Sequence, residues 1–169
     1  MNAVPGIYIG IGSNLGDREE NIRRGLEMLR SPMTVVEVVS ALYQTEPWRC
    51  GQQPDYLNAV ARLSSVMTAS DLVDVMLGVE RGLGRIRTEP GQARTLDLDL
   101  LFHGSEIIKT ASLTVPHPRL HLRRFVLVPL SEVAPHFCHP VLRKTVLELL
   151  LECPDRSRVE KAGDLGHTG

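Results

Sequence analysis

The sequence predicts an α+β fold in which helices flank one antiparallel sheet. Four stretches are rich in apolar or β-branched residues and have the length of strands. Two stretches with apolar residues at helical spacing lie between them. The chain has 169 residues, of which 43% are hydrophobic and 23% charged, so it can bury a core within one domain.

The first strand is predicted at Gly6–Ile11, an apolar run bordered by glycines. A polar turn over 12–17 follows it and ends on Asp17. Asp17 stands three residues before Glu20, which is the spacing of a helix N-cap with capping-box support. The spacing predicts a helix over 18–30, whose buried stripe consists of Ile22, Leu26 and Leu29.

The second and third strands are predicted at Met33–Thr45 and Tyr56–Val66. They are close enough in sequence to pair antiparallel. The loop between them, 46–55, contains two prolines and is long for a hairpin, which favours a functional role for it.

A second helix is predicted after Thr68 or Ser70, either of which can cap it, and Gly84 is placed to end it. Its apolar stripe consists of Leu72, Met76, Val79 and Leu83. A fourth strand follows at Thr95–His103. The order β-α-β-β-α-β is that of the ferredoxin-like arrangement, here expected as an α/β/α sandwich.

The C-terminal part gives weaker signals. Thr110–Cys153 is rich in proline and histidine, and one final helix is predicted within it, at Thr145–Glu152. From Pro154 onward the chain is polar. We therefore expect a single domain over 1–153 and a disordered tail over 154–169.

Composition and charge exclude several classes of function. The formal net charge of −1 argues against a broad basic surface for nucleic acid or acidic membranes. The N-terminal residues do not have the pattern of a signal peptide, and no apolar run is long enough to span a bilayer. The three cysteines are far apart and predict reduced thiols. We expect a cytoplasmic monomer that binds neither nucleic acid nor membrane.

The most informative stretch is 94–101, RTLDLDLL. In a strand, Asp97 and Asp99 share one face, with Cβ atoms about 6–7 Å apart, while the intervening leucines point into the core. Two like charges on one face repel, and a divalent cation with oxygen ligands would offset that repulsion. The pair therefore favours a metal site, and the alternative is a solvated strand face that carries two charges.

Other residues extend this candidate site. Guanidinium groups bind phosphate oxygens bidentately, so the basic residues near the strand suit a triphosphate; they are Arg85, Arg87, Arg94, His117, Arg119, His121, Arg123 and Arg124. Tyr56 and Asn58 share a face, where a ring and an amide suit a planar heterocycle. The glycines at 10, 12 and 16 match neither a Walker A nor a G-x-G-x-x-G motif, and we interpret them as a strand-to-helix turn.

Five segments together resemble one family. They are GIGSNLGD, QPDYLNAV, GRIR, RTLDLDLL and LTVPHPRLHLRRFVLVPL, in this order over residues 7–140. The chain is similar here to 6-hydroxymethyl-7,8-dihydropterin pyrophosphokinase. This resemblance implies the ferredoxin-like fold and transfer of the β,γ-pyrophosphoryl group of ATP to the hydroxymethyl group of the pterin, with release of AMP, in folate biosynthesis.

The resemblance also implies roles for individual residues. Two Mg²⁺ ions would be bound by Asp97 and Asp99 and would bridge the phosphates of ATP, the co-substrate. Catalysis would rest on Arg85, Arg94, Asp97 and Asp99. The nucleotide would be surrounded by Glu80, Arg87, Arg94, Leu100, Thr114, His117 and Arg123. The pterin would be surrounded by Thr45, Trp48, Tyr56, Asn58 and Phe125. Loops over 12–17, 46–54 and 87–93 would close over both substrates.

The chain departs from the family pattern in three places. Residues 87–93 contain no tryptophan, whereas some members have one there. Trp48 stands where some members have leucine, and Pro118 stands where some have tyrosine.

The alternative function is a non-enzymatic ligand-sensing module of the same fold, which would not need two carboxylates on one strand face. An RNA-binding module would need aromatic residues on its central strands, whereas aromatic residues make up 4% of this chain.

Overall fold

The computed structural model describes residues 2–49, 51–84 and 93–165. The strands in these ranges are β1 Val4–Ser13, β2 Thr34–Val39, β3 Leu42–Thr45, β4 Tyr56–Ser65, β5 Asp97–His103, β6 Ile108–Lys109, β7 Thr114–Val115 and β8 Val159–Gly163. The helices are α1 Arg18–Leu29, α2 Ala69–Gly82, α3 Arg124–Val133 and α4 Val146–Glu152, and a 3-10 turn, Leu120–Leu122, precedes α3.

The main sheet is antiparallel and has the order β5-β1-β4-β3-β8, with β2 pairing with the other end of β4. Its register determines what stands opposite the acidic strand β5. Gly10 pairs with Asp99, and Gly12 pairs with Asp97 on one side and with Asn58 on the other. The strands β6 and β7 form a separate hairpin.

Helices cover both faces of this sheet, each over its own hydrophobic cluster. On one face α1 and α2 pack on a cluster that includes Ile9, Leu63 and Leu72. On the other face α3 and α4 pack on a cluster that includes Phe102 and Leu127. Burial of these side chains stabilises both layers by about 25 cal/mol per Å² of apolar surface. The predicted α+β class, with an antiparallel sheet flanked by helices, is confirmed.

Local signals in the sequence are also found in the structure. The side chain of Asp17 accepts a hydrogen bond from the backbone N–H of Glu20 and caps α1, and Thr68 caps α2 in the same way. Thr145 and Glu148 form a reciprocal capping box at the start of α4. Gly84, with a φ of +86°, follows the end of α2 in the left-handed conformation that glycine adopts without strain.

The stretch Met33–Thr45, predicted as one strand, forms two. Ser40 separates β2 from β3 because its Oγ accepts the backbone N–H of Val60 at 3.0 Å. The neighbouring N–H of Ala41 leaves the sheet and donates to Oε1 of Glu132 on α3 at 2.9 Å. A side chain thus takes the place of ladder bonds at this point.

Two further differences concern the C-terminal part. Helix α3 was not predicted, because its segment contains Pro129, which signals a helix end, yet the helix continues past this residue to Val133. The predicted disordered tail over 154–169 is wrong for 159–163, which form the edge strand β8 against β3. The single-domain boundary at 153 stays a prediction.

Within the described ranges, no helix is long and apolar enough to cross a membrane.

Candidate active site

A cavity of about 350 Å³ opens on the sheet face covered by α3, at the N-terminal end of that helix. Its size suits a small-molecule ligand. The lining residues come from β1, β3, β4, β5, α3 and three connecting segments. They are Gly10, Ile11, Gly12, Thr45, Glu46, Trp48, Arg49, Tyr56, Asn58, Ala59, Val60, Arg94, Asp97, Asp99, Arg119, Arg123, Phe125 and Val126.

Two glycines of β1 help to form the floor of the cavity. A Cβ atom at Gly12 would lie 2.3 Å from Oδ1 of Asn58, so no side chain fits between the two strands there. Gly10 stands opposite Asp99 without a comparable conflict. Both lie inside β1, so the interpretation of the glycines as a turn is wrong at these two positions, although the predicted strand Gly6–Ile11 included Gly10. Gly16, with a φ of +66°, is the turn residue.

The acidic end of the cavity consists of Asp97 and Asp99. Both line it from the same face of β5, as the period of two predicts, and their side chains are 27% and 37% exposed. Nη1 of Arg94 lies 2.8 Å from Oδ1 of Asp97, and Nη1 of Arg123 lies 4.0 Å from Oδ2 of Asp99. Burial, with the neighbouring Asp97 charge, raises the pKa of Asp99 to about 7. Without a bound cation, ionisation of both carboxyl groups together is therefore unfavourable.

The chemistry of this carboxylate pair fits Mg²⁺. Magnesium takes oxygen ligands and is commonly bound by one or two carboxylates, with waters and substrate phosphates completing the shell. No cluster of three or more His, Cys, Asp or Glu side chains that could hold a metal occurs in the described part of the chain. Two carboxylates alone leave several of the six positions around Mg²⁺ open to water or to phosphate oxygens.

The other end of the cavity combines rings with one amide. Asn58 is 9% exposed, and its Nδ2 donates to Oγ1 of Thr45 at 2.7 Å, which fixes the amide orientation. The guanidinium of Arg123 lies 4.7 Å from the centroid of Trp48 and 5.7 Å from that of Phe125. Both distances are within cation–π range. A flat polar space bordered by rings suits a planar heterocycle.

The predicted site residues fall into three groups. The cavity brings together Thr45, Trp48, Tyr56, Asn58, Arg94, Asp97, Asp99, Arg123 and Phe125. Outside its lining are Glu80, Leu100, Thr114 and His117. Arg85 and Arg87 lie outside the described residues.

The residues outside the lining have other positions in the fold. Glu80 is buried beneath β5, where its Oε1 accepts the backbone N–H of Leu98 at 2.8 Å. The side chain of Leu100 is buried in the opposite core, and Thr114 is in β7. The backbone N–H of His117 donates to the carbonyl of Leu101 at 3.0 Å, next to the acidic strand. Burial and the charge of Arg123 lower the pKa of His117 to about 4, so the imidazole is neutral near pH 7.

Asn14 is the main residue that the sequence analysis missed. It is 2% exposed, and its Oδ1 accepts the backbone N–H of Arg94 at 2.6 Å. Its Nδ2 donates to Oε1 of Gln53 and to the carbonyl of Pro54, both at 3.2 Å. Asn14 therefore joins the turn after β1, the loop over 46–55 and the segment before β5. Its only signal in the sequence is an asparagine within a turn, which is common.

Comparisons with known proteins decide the family. The model of the family 7,8-dihydro-6-hydroxymethylpterin-pyrophosphokinase (HPPK) matches residues 8–135. The chain belongs to this family. The resemblance found in the sequence motifs is thereby confirmed.

Several curated HPPK relatives are similar over most of this chain. The 2-amino-4-hydroxy-6-hydroxymethyldihydropteridine pyrophosphokinase of Pseudomonas aeruginosa is 38% identical over 149 residues, which is 88% of this chain and 91% of that protein. The enzyme of the same name from Synechocystis is 37% identical over 86% of this chain and 74% of that protein. The folic acid synthesis protein FOL1 of Dictyostelium discoideum is 32% identical over 90% of this chain, which spans 23% of that longer protein.

Solved structures share the HPPK fold. Wild-type HPPK-DHPS of Plasmodium falciparum, solved with pterin and p-hydroxybenzoate, matches with a TM-score of 0.71 at 13% identity. The match covers 90% of this chain and 43% of that one. At this identity the likeness supports the shared fold alone.

Proposed function

We propose that this chain transfers the β,γ-pyrophosphoryl group of ATP to the hydroxymethyl group of 6-hydroxymethyl-7,8-dihydropterin and releases AMP, in folate synthesis. The observation that carries the proposal is one cavity that joins a carboxylate pair with arginines to a ring-and-amide pocket. These two ends match the two halves of the reaction, a magnesium-bound triphosphate and a planar pterin. Family membership supports the same reaction.

The pterin occupies the ring end in this proposal. Tyr56 and Phe125 border the ring, Trp48 closes the outer side, and Asn58 with Thr45 reads the polar edge. A buried amide whose orientation is fixed by Thr45 discriminates strongly, because a ligand without matching groups would leave it unpaired.

The triphosphate occupies the acidic end. Asp97 and Asp99 would hold two Mg²⁺ ions there, and these ions would neutralise phosphate charge and orient the phosphates. Arg94 and Arg123 reach the same space and stabilise charge on the phosphate oxygens. We propose further nucleotide contacts from Glu80, Arg87, Leu100, Thr114 and His117, and a catalytic role for Arg85.

The reaction is a displacement at the β-phosphorus. The hydroxyl oxygen of the pterin forms a bond to the β-phosphorus, and the bond from that phosphorus to the oxygen of the α-phosphate breaks, so that AMP leaves. The hydroxyl proton passes to solvent, since we assign no side chain as a general base. The contribution of this chain is therefore positioning, charge stabilisation and exclusion of water that would hydrolyse ATP.

AMP release tests this function. Purified protein with ATP, magnesium and 6-hydroxymethyl-7,8-dihydropterin should form AMP only when the pterin is present, and the Asp97→Ala/Asp99→Ala double variant should form none. Circular dichroism confirms that the variant is folded. Formation of ADP in place of AMP would contradict the proposed reaction, and absence of any turnover by the folded wild type would favour the ligand-sensing alternative.

A further inference from the structure

The segment after α4 contacts the active site from outside the cavity. Cys153 is buried beside α3, the chain then runs along the start of that helix, and β8 pairs with β3. The partner strand β3 ends at Thr45, which lines the cavity. The segment 153–163 therefore touches two elements that carry predicted pterin residues, although none of its own residues lines the cavity.

The first contact is at helix α3. Its N-cap residue, Arg123, makes no side-chain capping bond, so the helix does not cap itself. Oδ2 of Asp155 accepts the backbone N–H of Arg124 at 3.0 Å instead. An anionic acceptor at a helix N-terminus is also favoured by the helix dipole. Asp155 thus holds the first turn of the helix, from which Arg123 and Phe125 reach into the cavity.

The carboxylate of Asp155 is itself held in place. Its Oδ1 accepts the backbone N–H of Ser157 at 2.9 Å and the Ser157 hydroxyl at 2.6 Å. Burial opposes ionisation of this group, but the hydrogen bonds from Ser157 and Arg124 outweigh it and lower the pKa of Asp155. Asp155 is therefore a charged and oriented acceptor.

The second contact is at the loop over 46–55, which carries Trp48. The backbone N–H of Arg158 donates to Oε1 of Glu46 at 2.5 Å, at the beginning of the loop. Nη2 of Arg158 donates to Oδ2 of Asp55 at 2.6 Å, at the end of the loop. Arg158 thus joins both ends of the loop to the edge of the sheet. Asp55 receives a second donor from Nε2 of Gln44 at 3.2 Å.

We propose that the segment 153–163 positions the walls of the pterin pocket, through Asp155 at the start of α3 and through Arg158 at the loop over 46–55. Asp155 and Arg158 are positioning residues and contact no substrate. The part of this inference that concerns catalysis rests on the proposed function. The part that concerns the position of the pocket walls does not, because the walls can be observed without substrate.

Trp48 allows the walls to be observed directly, because it is the single tryptophan of the chain. The guanidinium groups of Arg49 and Arg123 lie 4.5 and 4.7 Å from the centroid of its ring. Acrylamide quenching of its fluorescence, in protein without ligand, therefore reports how well the loop and the start of α3 hold this ring. In Asp155→Ala and Arg158→Met, quenching should rise about twofold. Asp155→Ala removes the acceptor at the start of α3. Arg158→Met removes the side-chain donor to Asp55 at the end of the loop and keeps the backbone bond to Glu46.

Matched controls come from β8 and the residue after it. Lys161→Met in β8 and Asp164→Ala just beyond it each remove an exposed ion pair of 3.6 Å between two residues that do not line the cavity, and should leave quenching unchanged. Asp155→Asn keeps an oxygen acceptor and Arg158→Lys keeps a positive charge, so quenching in both variants should stay close to that of the wild type.

Kinetics provide the second readout. In Arg158→Met, the KM for the pterin should rise about five- to tenfold, while the KM for ATP and kcat change by less than about twofold. In Asp155→Ala the KM for the pterin should rise by a similar factor and the KM for ATP should rise with it, because the first turn of α3 also carries Arg123, which reaches the triphosphate end. A general loss of stability would instead change all three parameters together, along with the midpoint of thermal unfolding. If Asp155→Ala does not fold, Arg158→Met, whose side chain is 46% exposed, provides the test alone.

Failure of the proposed function and failure of the inference about the segment 153–163 give different results. Wild-type protein that is folded but forms no AMP would contradict the proposed function and leave the quenching result intact. Quenching in Asp155→Ala and Arg158→Met equal to that of the wild type or of the control variants would overturn the inference, whatever the enzyme catalyses. Equal changes in both KM values and kcat in Arg158→Met would also overturn it.

Discussion

At the carboxylate end of the cavity, Asp97 and Asp99 stand on one strand whose neighbours are fixed by sheet register. At the ring end, Trp48 and Phe125 come from a loop and from the first turn of a helix, and both are held by the C-terminal segment. The first arrangement follows from local sequence, whereas the second depends on contacts between distant parts of the chain. The carboxylate end should therefore respond to substitution in the strand itself, and the ring end to changes outside the cavity.

The largest effect is expected at the carboxylate end. Asp97→Asn or Asp99→Asn should lower kcat/KM by about a thousandfold, because each removes an anionic ligand for magnesium without removing volume. AMP release over a range of magnesium concentrations measures this. The thermal unfolding midpoint should not fall for Asp99→Asn near pH 8, since ionisation of this partly buried carboxyl beside Asp97 is unfavourable in the absence of metal. A loss of less than about tenfold in both variants would contradict the metal assignment.

A smaller effect is expected where the two ends meet, on strand β1. In Gly12→Ala the new Cβ would lie 2.3 Å from Oδ1 of Asn58 and displace the amide, so the KM for the pterin should rise about tenfold or more. Gly10→Ala is the matched control, because its nearest contact is 3.8 Å, to Cδ2 of Leu101. Similar kinetics for the two variants would show that Asn58 does not bind the pterin.

The smallest expected effects concern the pH dependence of the unfolding free energy, to which Asp99 and His117 contribute with opposite signs. The folded-state pKa of Asp99, about 7, is above its ordinary 3.8. The contribution of Asp99 to metal-free stability is thus complete below about pH 4 and is lost as pH rises to about 7. For His117, the folded-state pKa of about 4 is below its ordinary 6.5, so its contribution is present above 6.5 and is lost as pH falls to about 4.

Urea unfolding between pH 4 and 7.5, with a metal chelator present, checks these signs. The loss of unfolding free energy caused by Asp99→Asn, measured against the wild type at the same pH, should be larger at pH 4 than at pH 7.5. The loss caused by His117→Asn should be larger at pH 7.5 than at pH 4. Parallel curves for all three proteins would mean that neither group titrates abnormally in the folded state.

The comparison of the two ends also explains how much the sequence could predict. The period of two gave the shared faces of Asp97 with Asp99 and of Tyr56 with Asn58, because strand geometry is local. The caps at Asp17 and Thr68 followed from the same kind of local signal. These features cover most of the sheet and the lining residues that come from strands.

What the sequence could not predict depends on distant partners. Helix α3 contains Pro129, and its buried stripe becomes evident only once the sheet face beneath it exists. The polar strand β8 forms because β3 offers a free edge, which nothing near Val159 in sequence reveals. Asn14 and Gly12 look like ordinary turn residues until the segments around Arg94 and Asn58 pack against them.

Mass spectrometry of the pterin product, with nucleotide products quantified in parallel, tests the proposed pyrophosphoryl transfer. We expect a product that carries both the β- and γ-phosphorus atoms of ATP, formed in equal amount with AMP, because the carboxylate end presents the β-phosphorus to the hydroxyl held at the ring end. A pterin product with a single phosphate, accompanied by ADP, would contradict it.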